Sequence, residues 1–359
     1  MVIQNDLINS NHHLSLKTES ANNPKRIKFD PIVSIIVTSF NQAGTIEQTF
    51  DSILNQNCGP VYEIIIGEDF SSDNTREICN EYLNKYPGVF IPLFHKRNVG
   101  VGANFAMCMK QAIGKYIAIC AADDYWHNSD KLKLQIDFLE KNPQIGLVYT
   151  DYDKLDLKSG RIIKNYIKST GKEIFEGPGL MKAFFEGKVP VLTLTVMFRK
   201  ELFDKFIPAD DYIKYHFPLE DWPTWLILSR YTKIGYLPIS TGTYRFGHES
   251  ITNPVNYKRI EERLKLEQIM YRYICEMFPE DLSYNETHYL IYVNHILLNL
   301  AFKKMDYKAA LKYSERMKNL GSISLKVRIV GCKSAFFIFS FLKRLRNNYF
   351  SHWNNKCSQ

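Results

Sequence analysis

The 359-residue sequence has only seven cysteines, and no two of them form a Cys-x-x-Cys pair. Several fall inside segments whose pattern predicts strands or helices, so we interpret them as reduced, partly buried thiols of a cytosolic protein. Disulfide bonds and a zinc site are therefore not expected. The first thirty residues are polar and lack an apolar run, which excludes an ordinary secretory signal and predicts a loosely ordered tail.

The glycine-rich nucleotide signatures are also missing. No Gly-x-Gly-x-x-Gly follows the first predicted strand, and no Gly-x-x-x-x-Gly-Lys-Ser/Thr occurs in the chain. These absences argue against a dinucleotide-binding fold and against a P-loop, in which glycine-rich backbone cradles phosphate. A bound phosphate would therefore have to be neutralised by a cation that carboxylates hold.

Acidic residues are missing from the C-terminal segment, residues 321–359, which contains seven Lys or Arg. Since the whole chain carries +8, the first 320 residues carry only +1. The uncharged run between Lys333 and Lys343 has nine residues, too few to span a bilayer, so we expect an interfacial helix on an anionic membrane surface. Packing on the protein's own helices or in a dimer contact is the alternative. No RNA-binding motif accompanies the cations, so no nucleic-acid partner is expected.

The first half of the chain shows a regular alternation of strand and helix patterns. Runs of β-branched and apolar residues predict buried strands at residues 33–38, 63–67, 89–94 and 116–120. Helical spacing follows them at residues 46–54, 74–85, 103–113 and 129–141. Such alternation is typical of an α/β fold with a doubly wound, mostly parallel sheet. Thr45 and Gln48 resemble a capping box at the first helix.

Beyond residue 145 the alternation weakens. One more strand is predicted at residues 145–150, residues 244–252 are predicted to form a loop, and residues from 260 onward follow a helical pattern. We therefore expect four parts: a polar tail (1–30), a nucleotide-binding α/β domain (31–255), a helical subdomain (256–320) and the basic amphipathic segment (321–359).

Two adjacent acids, Asp123 and Asp124, stand where the predicted strand at residues 116–120 ends. Ligands of an open parallel sheet bind at the carboxyl ends of its strands, so we expect both acids to face a crevice. Mg²⁺ and Mn²⁺ are commonly held by one or two carboxylates together with substrate phosphates. The pair therefore suggests a metal-diphosphate site, and the alternative is a solvated turn that caps the next helix.

Short motifs in a fixed order extend this pattern along residues 31–252. They are VSIIVTSFN (33–41), EDFSSDNT (68–75), RNVG (97–100), AADDYW (121–126), EDW (220–222), and YR (244–245) followed by SIT (250–252). In order and separation these motifs resemble the family 2 glycosyltransferases, which are inverting enzymes with a GT-A fold that use nucleotide-diphosphate sugars.

The resemblance implies a nucleotide-binding site near the first strand. Four residues of the turn after that strand would approach the base and ribose: Thr38, Ser39, Phe40 and Asn41. Asp69 would accept a hydrogen bond from the base edge, and the alternative for this residue is a cap on the following helix. Arg97 and Asn98 would help to close the donor pocket, and Arg245 is also assigned to the donor site.

The resemblance also implies a metal and a general base. Asp124 would ligate Mn²⁺ or Mg²⁺ bridging the two phosphates, Asp123 would share the cation or contact the ribose, and His248 would reach the metal or a phosphate. Asp221 would take the proton from the acceptor hydroxyl, and Glu220 is the second choice for this base or a residue that positions the acceptor.

Taken together, the motifs predict a metal-dependent, inverting sugar transferase at the cytoplasmic membrane face. Its donor would be a nucleotide sugar, first of all a UDP-sugar, and its acceptor a glycan or lipid-linked hydroxyl in bacterial surface polysaccharide or lipooligosaccharide synthesis. Ala121 stands where many relatives have an acid, and Gly247 where many have a histidine. The alternatives are a sugar nucleotidyltransferase and a catalytically silent nucleotide-sugar-binding scaffold; a homo-oligomer is compatible with each.

Overall fold

The sheet is built from strands whose apolar side chains are buried on both faces. The computed structural model describes residues 30–58, 62–171, 179–247, 256–322 and 324–341, and within them nine strands form one sheet. The strands are β1 (Val33–Ser39), β2 (Tyr62–Glu68), β3 (Phe90–Phe94), β4 (Tyr116–Ile119), β5 (Tyr125–Trp126), β6 (Ile145–Asp156), β7 (Ile162–Ile163), β8 (Val196–Arg199) and β9 (Lys233–Phe246). Their order is β3-β2-β1-β4-β8-β6-β9-β5, with β7 beside β6.

Most of the pairing in this sheet is parallel. β1 pairs in parallel with β2 and β4, β2 with β3, and β6 with β9. The short strand β8 runs antiparallel to its neighbours β4 and β6. Because β1, β2 and β4 point the same way, the turns that follow them meet at one edge of the sheet. The predicted α/β class with a mostly parallel sheet is confirmed.

The helices cover both faces of the sheet and then continue beyond it. They are α1 (Ile46–Leu54), α2 (Thr75–Lys85), α3 (Val101–Gln111), α4 (Lys131–Lys141), α5 (Tyr166–Thr170), α6 (Leu180–Phe185), α7 (Lys200–Phe206), α8 (Ala209–Lys214), α9 (Asp221–Tyr231), α10 (Tyr257–Met277), α11 (Glu286–Lys304), α12 (Tyr307–Asn319) and α13 (Leu325–Val330). Ile35 and Val37 of β1 lie in one core with α1, α2 and α4, whereas Ile36 lies in the opposite core with α3 and α9. The two faces of one strand therefore serve two layers, as in a doubly wound sheet.

Strand β9 contradicts the loop predicted at residues 244–252. It runs to Phe246 and pairs with β6, which itself extends from the predicted end at residue 150 to Asp156. The pairing shifts register on both sides of Asp151, as at a β-bulge. Pro238 and Gly242 lie inside β9 and break the pattern of apolar and β-branched residues that is typical of a strand. A continuous strand was therefore not predicted there. Residues 248–252 lie outside the described residues.

The predicted capping box at the start of α1 is wrong. The Thr45 side chain makes no cap hydrogen bond; its hydroxyl donates instead to the carbonyl oxygen of Ala122 at 2.8 Å. The Gln48 side chain accepts from the Arg245 guanidinium. Thr45 therefore holds the loop that carries the two acids directly, and Gln48 holds it through Arg245, which donates to the carbonyl oxygen of Asp123.

Helix α10 belongs to two cores at once. Its residues Met270 and Ile274 lie in the core that α9 and α3 share, whereas Ile260 and Leu264 pack with α11, α12 and α13. The buried side chains of α10 thus connect the C-terminal helices to the α/β part of the protein. In the described residues, no helix has the length and apolar character that crossing a bilayer requires.

The described part of the C-terminal segment packs on the protein's own helices. Val327, Val330 and Phe336 are buried in the core with α11 and α12, and the rings of Phe336 and Phe302 lie 4.7 Å apart. This is the arrangement given above as the alternative to an interfacial helix. Leu325, Ile338 and Phe341 remain exposed; residues 342–359 lie outside the described residues.

Candidate active site

A cavity of about 690 Å³ lies at the carboxyl ends of β1, β2 and β4. It brings together residues from both halves of the chain, because the turns after these strands face α9 and α10. Its predicted site residues are Thr38, Ser39, Phe40, Asn41, Asp69, Asn98, Asp123, Asp124, Glu220 and Asp221. Asp124 and Asp221 thus line one cavity.

The turn after β1 forms one end of the cavity. Asn41 adopts a left-handed backbone conformation (φ 55°), its N–H donates to Ser71 Oγ at 2.9 Å, and its side-chain oxygen accepts from the N–H of Ser72 at 2.8 Å. Phe40 is exposed, and Ser39 Oγ is buried without a hydrogen-bond partner among the described residues. The turn thus presents an aromatic ring and a hydroxyl that a ligand could engage.

Asp69 is already engaged by the backbone that leads into α3. Its two carboxylate oxygens accept from the N–H groups of Val99 at 2.7 Å and Gly100 at 3.0 Å. Burial raises the pKa of Asp69, and these two hydrogen bonds act in the opposite direction. The alternative role predicted for Asp69 was a cap on the helix that follows it. Asp69 instead caps the turn before α3. Asn98 lines the cavity, whereas the exposed Arg97 is not among its lining residues.

Asp124 is a buried acid beside a second acid. Its Oδ1 accepts from the backbone N–H of Arg245 at 2.9 Å, and the guanidinium of Arg245 donates to the carbonyl oxygen of Asp123 at 2.7 Å. Burial, followed by the charge of Asp123, raises the pKa of Asp124 well above its ordinary value. Arg245 lies over the ring of Tyr125, 4.6 Å from its centroid. Arg245 itself is buried and is not among the cavity-lining residues, so it supports the acid loop from behind.

The two acids supply only part of a metal site. Within the described residues, no group of three His, Cys, Asp or Glu side chains is arranged to hold a metal ion, and His248 lies outside those residues. Asp123 and Asp124 both face the cavity, and oxygen ligands of this type suit Mg²⁺ or Mn²⁺. The donor set fits a divalent cation whose remaining ligands come from phosphate oxygens and water.

Glu220 and Asp221 stand at the start of α9, on another wall of the cavity. Burial, and then the charge of Asp221, raises the pKa of Glu220 to about 8. Burial also raises the pKa of Asp221, although Asp221 Oδ1 accepts from the N–H of Trp222 at 2.6 Å. In a pair of neighbouring acids with raised pKa values, one can hold a proton while the other accepts one.

Arg259 and Arg263 of α10 also line the cavity, and neither was predicted from the sequence. They are four residues apart and therefore share one face of the helix. The helical pattern from residue 260 onward predicted the helix, but many cations lie along it. Which of them face the site depends on how α10 packs, and local sequence does not give that.

Residues 34–206 match the model of the family described as "Glycosyl transferase family 2". This region is a family 2 glycosyltransferase domain. The resemblance stated from the motifs is thereby confirmed. An uncharacterized protein of Mycobacterium bovis is 38% identical to the chain over 117 residues, which are 33% of this chain and 34% of that protein. A putative teichuronic acid biosynthesis glycosyltransferase, TuaG of Bacillus subtilis, is 34% identical over 109 residues, which are 30% of this chain and 42% of TuaG.

The chain spans about a third of the length of the first relatives that it matches, so these comparisons do not concern whole proteins. Two solved structures share the fold. S. aureus TarS 1–349 in complex with UDP-GlcNAc has a TM-score of 0.52 at 16% identity, covering 86% of this chain and 89% of that one. The mannosyltransferase PcManGT of Pyrobaculum calidifontis, in complex with GDP-Man and Mn²⁺, has a TM-score of 0.50 at 15% identity, covering 89% and 88%. The predicted GT-A fold is confirmed.

Proposed function

We propose that the chain is an inverting glycosyltransferase that moves a sugar from a nucleotide diphosphate to an acceptor hydroxyl. One observation carries the proposal: Asp123 and Asp124 line the same cavity as Glu220 and Asp221. Direct displacement needs a group that stabilises the departing diphosphate and a base for the acceptor proton. The two acid pairs supply candidates for these two tasks on different walls of one cavity.

Asp221 is the proposed base. It lies at the first turn of α9 with its carboxylate oriented by the N–H of Trp222, and its raised pKa increases its affinity for a proton. Glu220, with a pKa of about 8, holds its proton at neutral pH and is therefore the weaker base candidate. We assign Glu220 to hydrogen bonding with the acceptor.

Asp124, with help from Asp123, is the proposed holder of Mn²⁺ or Mg²⁺. A bound divalent cation would stabilise negative charge on the leaving diphosphate. The donor is proposed to be a UDP-sugar, a choice supported by the complex of the structurally similar TarS with UDP-GlcNAc. The turn from Thr38 to Asn41, together with Asn98, is the proposed contact surface for base and ribose.

Surface glycan synthesis at the cytoplasmic membrane face is the proposed setting. The name of the relative TuaG, a putative teichuronic acid biosynthesis glycosyltransferase, supports a polysaccharide or a lipid-linked glycan as acceptor. Leu325, Ile338 and Phe341 are exposed near the exposed cations Arg328 and Lys333, which suits contact with an anionic lipid surface.

Donor turnover tests the proposal. The full chain is incubated with a panel of nucleotide sugars, with and without Mn²⁺, and nucleotide diphosphate release is measured. Wild type should release it from one donor with Mn²⁺ present, and Asp221→Asn should lower the rate of transfer roughly a thousandfold. Glu276→Gln removes an exposed acid of α10 and serves as the matched control.

The two alternatives give different results in the same assay. A silent scaffold would be stabilised against heat by a nucleotide sugar but would release no nucleotide diphosphate. A nucleotidyltransferase would release pyrophosphate from a nucleoside triphosphate and a sugar phosphate. The turn from Ser39 to Gly44 contains no Lys or Arg, whereas such an enzyme needs a cationic phosphate loop there.

A further inference from the structure

The proposed function leaves Arg259 and Arg263 of α10 without a task. Both line the cavity, and their spacing places them on one face of the first two turns of α10. The amino-terminal end of a helix adds partial positive charge. Two guanidinium groups and this helix end therefore make one wall of an otherwise acidic cavity positive.

Arg263 is held in place and still has unused donor capacity. Its Nη1 lies 3.2 Å from Oε1 of the buried Glu267, and only 16% of its side chain is exposed. Its Nε is buried and has no hydrogen-bond partner among the described residues. A guanidinium fixed by one carboxylate, with an N–H left over, is suited to binding a second anion.

Helix α10, which carries the two arginines, packs against the residues that flank the proposed base. The ring of Tyr271 on α10 packs on Trp222 at 4.4 Å, and the ring of Tyr273 packs on Phe217 at 5.5 Å. Helix α10 thus contacts the residues on both sides of Glu220 and Asp221. The donor diphosphate, by contrast, is proposed to lie at the end of β4 with its cation.

We propose that Arg259 and Arg263 bind a phosphate group of the acceptor and so position its hydroxyl at Asp221. This inference rests on the proposed transfer reaction. It assigns the acceptor to a chemical class, a glycan or lipid carrier that bears a phosphate close to the hydroxyl that is glycosylated. Planar guanidinium groups match phosphate oxygens with paired hydrogen bonds, which explains why arginines are used here.

Calorimetric titration with inorganic phosphate tests the site on the full chain. Wild type should bind phosphate both alone and with UDP and Mn²⁺ at saturation, because the two sites are separate. Arg259→Gln and Arg263→Gln should each weaken phosphate binding about tenfold, since each removes charge-assisted hydrogen bonds. Lys265→Gln removes an exposed cation from the same helix and should leave phosphate binding unchanged.

If Arg263→Gln misfolds, phosphate binding by Arg259→Gln still tests the proposal. Arg263→Gln also leaves the buried Glu267 without its partner, whereas Arg259→Gln keeps that pair. The proposal is overturned if phosphate does not bind wild type, if UDP displaces the phosphate, or if the arginine variants bind it as wild type does. An equal loss of UDP affinity in those variants would also overturn it. Failure of wild type to bind any nucleotide would refute the transferase and leave arginine-dependent phosphate binding intact.

Discussion

Two buried aspartates of this protein have opposite surroundings. Asp153 accepts from Lys164 Nζ and from Ser240 Oγ, both at 2.7 Å; burial alone would raise its pKa, but these partners lower it. Asp124 has Asp123 beside it, and its pKa is raised. A buried carboxylate whose charge is only partly compensated destabilises the folded state and is typical of functional sites.

The substitution Asp124→Asn should separate stability from ligand binding. In chelator at pH 7 the variant should melt at a higher temperature than wild type, because it removes a buried charge and keeps the acceptor for the Arg245 N–H. UDP with Mn²⁺ should raise the melting temperature of wild type by mass action, but not that of the variant. The matched change Asp153→Asn should lower the melting temperature. A stabilising response of the Asp124 variant to UDP with Mn²⁺ equal to that of wild type would refute the metal assignment.

Glu220 makes stability depend on pH. Its pKa is 4.5 in the unfolded chain and about 8 in the folded protein, so between these values the folded state binds more protons. Stability contributed by this group is therefore present below pH 4.5 and lost as the pH rises through 8. Glu220→Gln should raise the melting temperature by about 3 °C at pH 8 and by less at pH 5. An equal change at both pH values would contradict the raised pKa.

At this scale the sequence predicted the acids but not their surroundings. Asp123, Asp124, Glu220 and Asp221 could be found because they follow a strand or begin a helix within short motifs. That Arg245 supports the acid loop from behind could not be found, because its partners lie more than a hundred residues away. Side-chain contacts of this kind depend on the tertiary fold.

Helix α3 packs against the loop before α9 so closely that a side chain at the point of contact would clash with the loop backbone. A Cβ atom on Gly102 would lie 2.3 Å from the backbone oxygen of Phe217, so the glycine allows the close contact. The loop continues into Pro218 and then Glu220 of the cavity wall. The distance between α3 and the loop that leads to the proposed base thus depends on the absence of a side chain at Gly102.

The substitution Gly102→Ala should therefore push α3 away from that loop. We expect a loss of about 1–3 kcal/mol in the free energy of unfolding, as for other overpacked cores, measured by urea denaturation. Gly44→Ala is the control, since a Cβ there meets no atom within 4 Å. Equal stability of the two variants would show that α3 accommodates the methyl group.

Strands and helices with a regular apolar pattern were predicted correctly from the sequence, and those with an interrupted pattern were not. β1 to β4 follow from runs of β-branched and apolar residues. β9 was missed because Pro238 and Gly242 interrupt it, although β6 supplies the pairing that keeps it a strand. Register shifts and neighbouring strands, and not local preference, decide such a segment.

The exposed apolar residues after α12 are the proposed contact with a membrane. Because Val327, Val330 and Phe336 form part of the core, removing everything after Asn319 would damage the fold as well as the contact. Single substitutions of exposed residues are therefore the better test.

Leu325→Ser combined with Ile338→Ser should weaken co-sedimentation with anionic phosphatidylglycerol vesicles about tenfold, because each change removes apolar surface from the lipid contact. Binding of wild type should also fall with rising salt, since the cations contribute through screened attraction. Ile269→Ser changes an exposed isoleucine of α10 and is the control. Retained binding of the double variant, or none by wild type, would refute the contact.

The double membership of α10 has a consequence for the molecule as a whole. The 21 residues of α10 pack at the amino-terminal end with the C-terminal helices and at the carboxyl-terminal end with the core on one face of the sheet. Loosening of α11, α12 and α13 would therefore also free the part of α10 that carries Arg259 and Arg263, because Ile260 and Leu264 pack on those helices. The C-terminal helices thus help to fix one wall of the cavity in which the sugar transfer is proposed to occur.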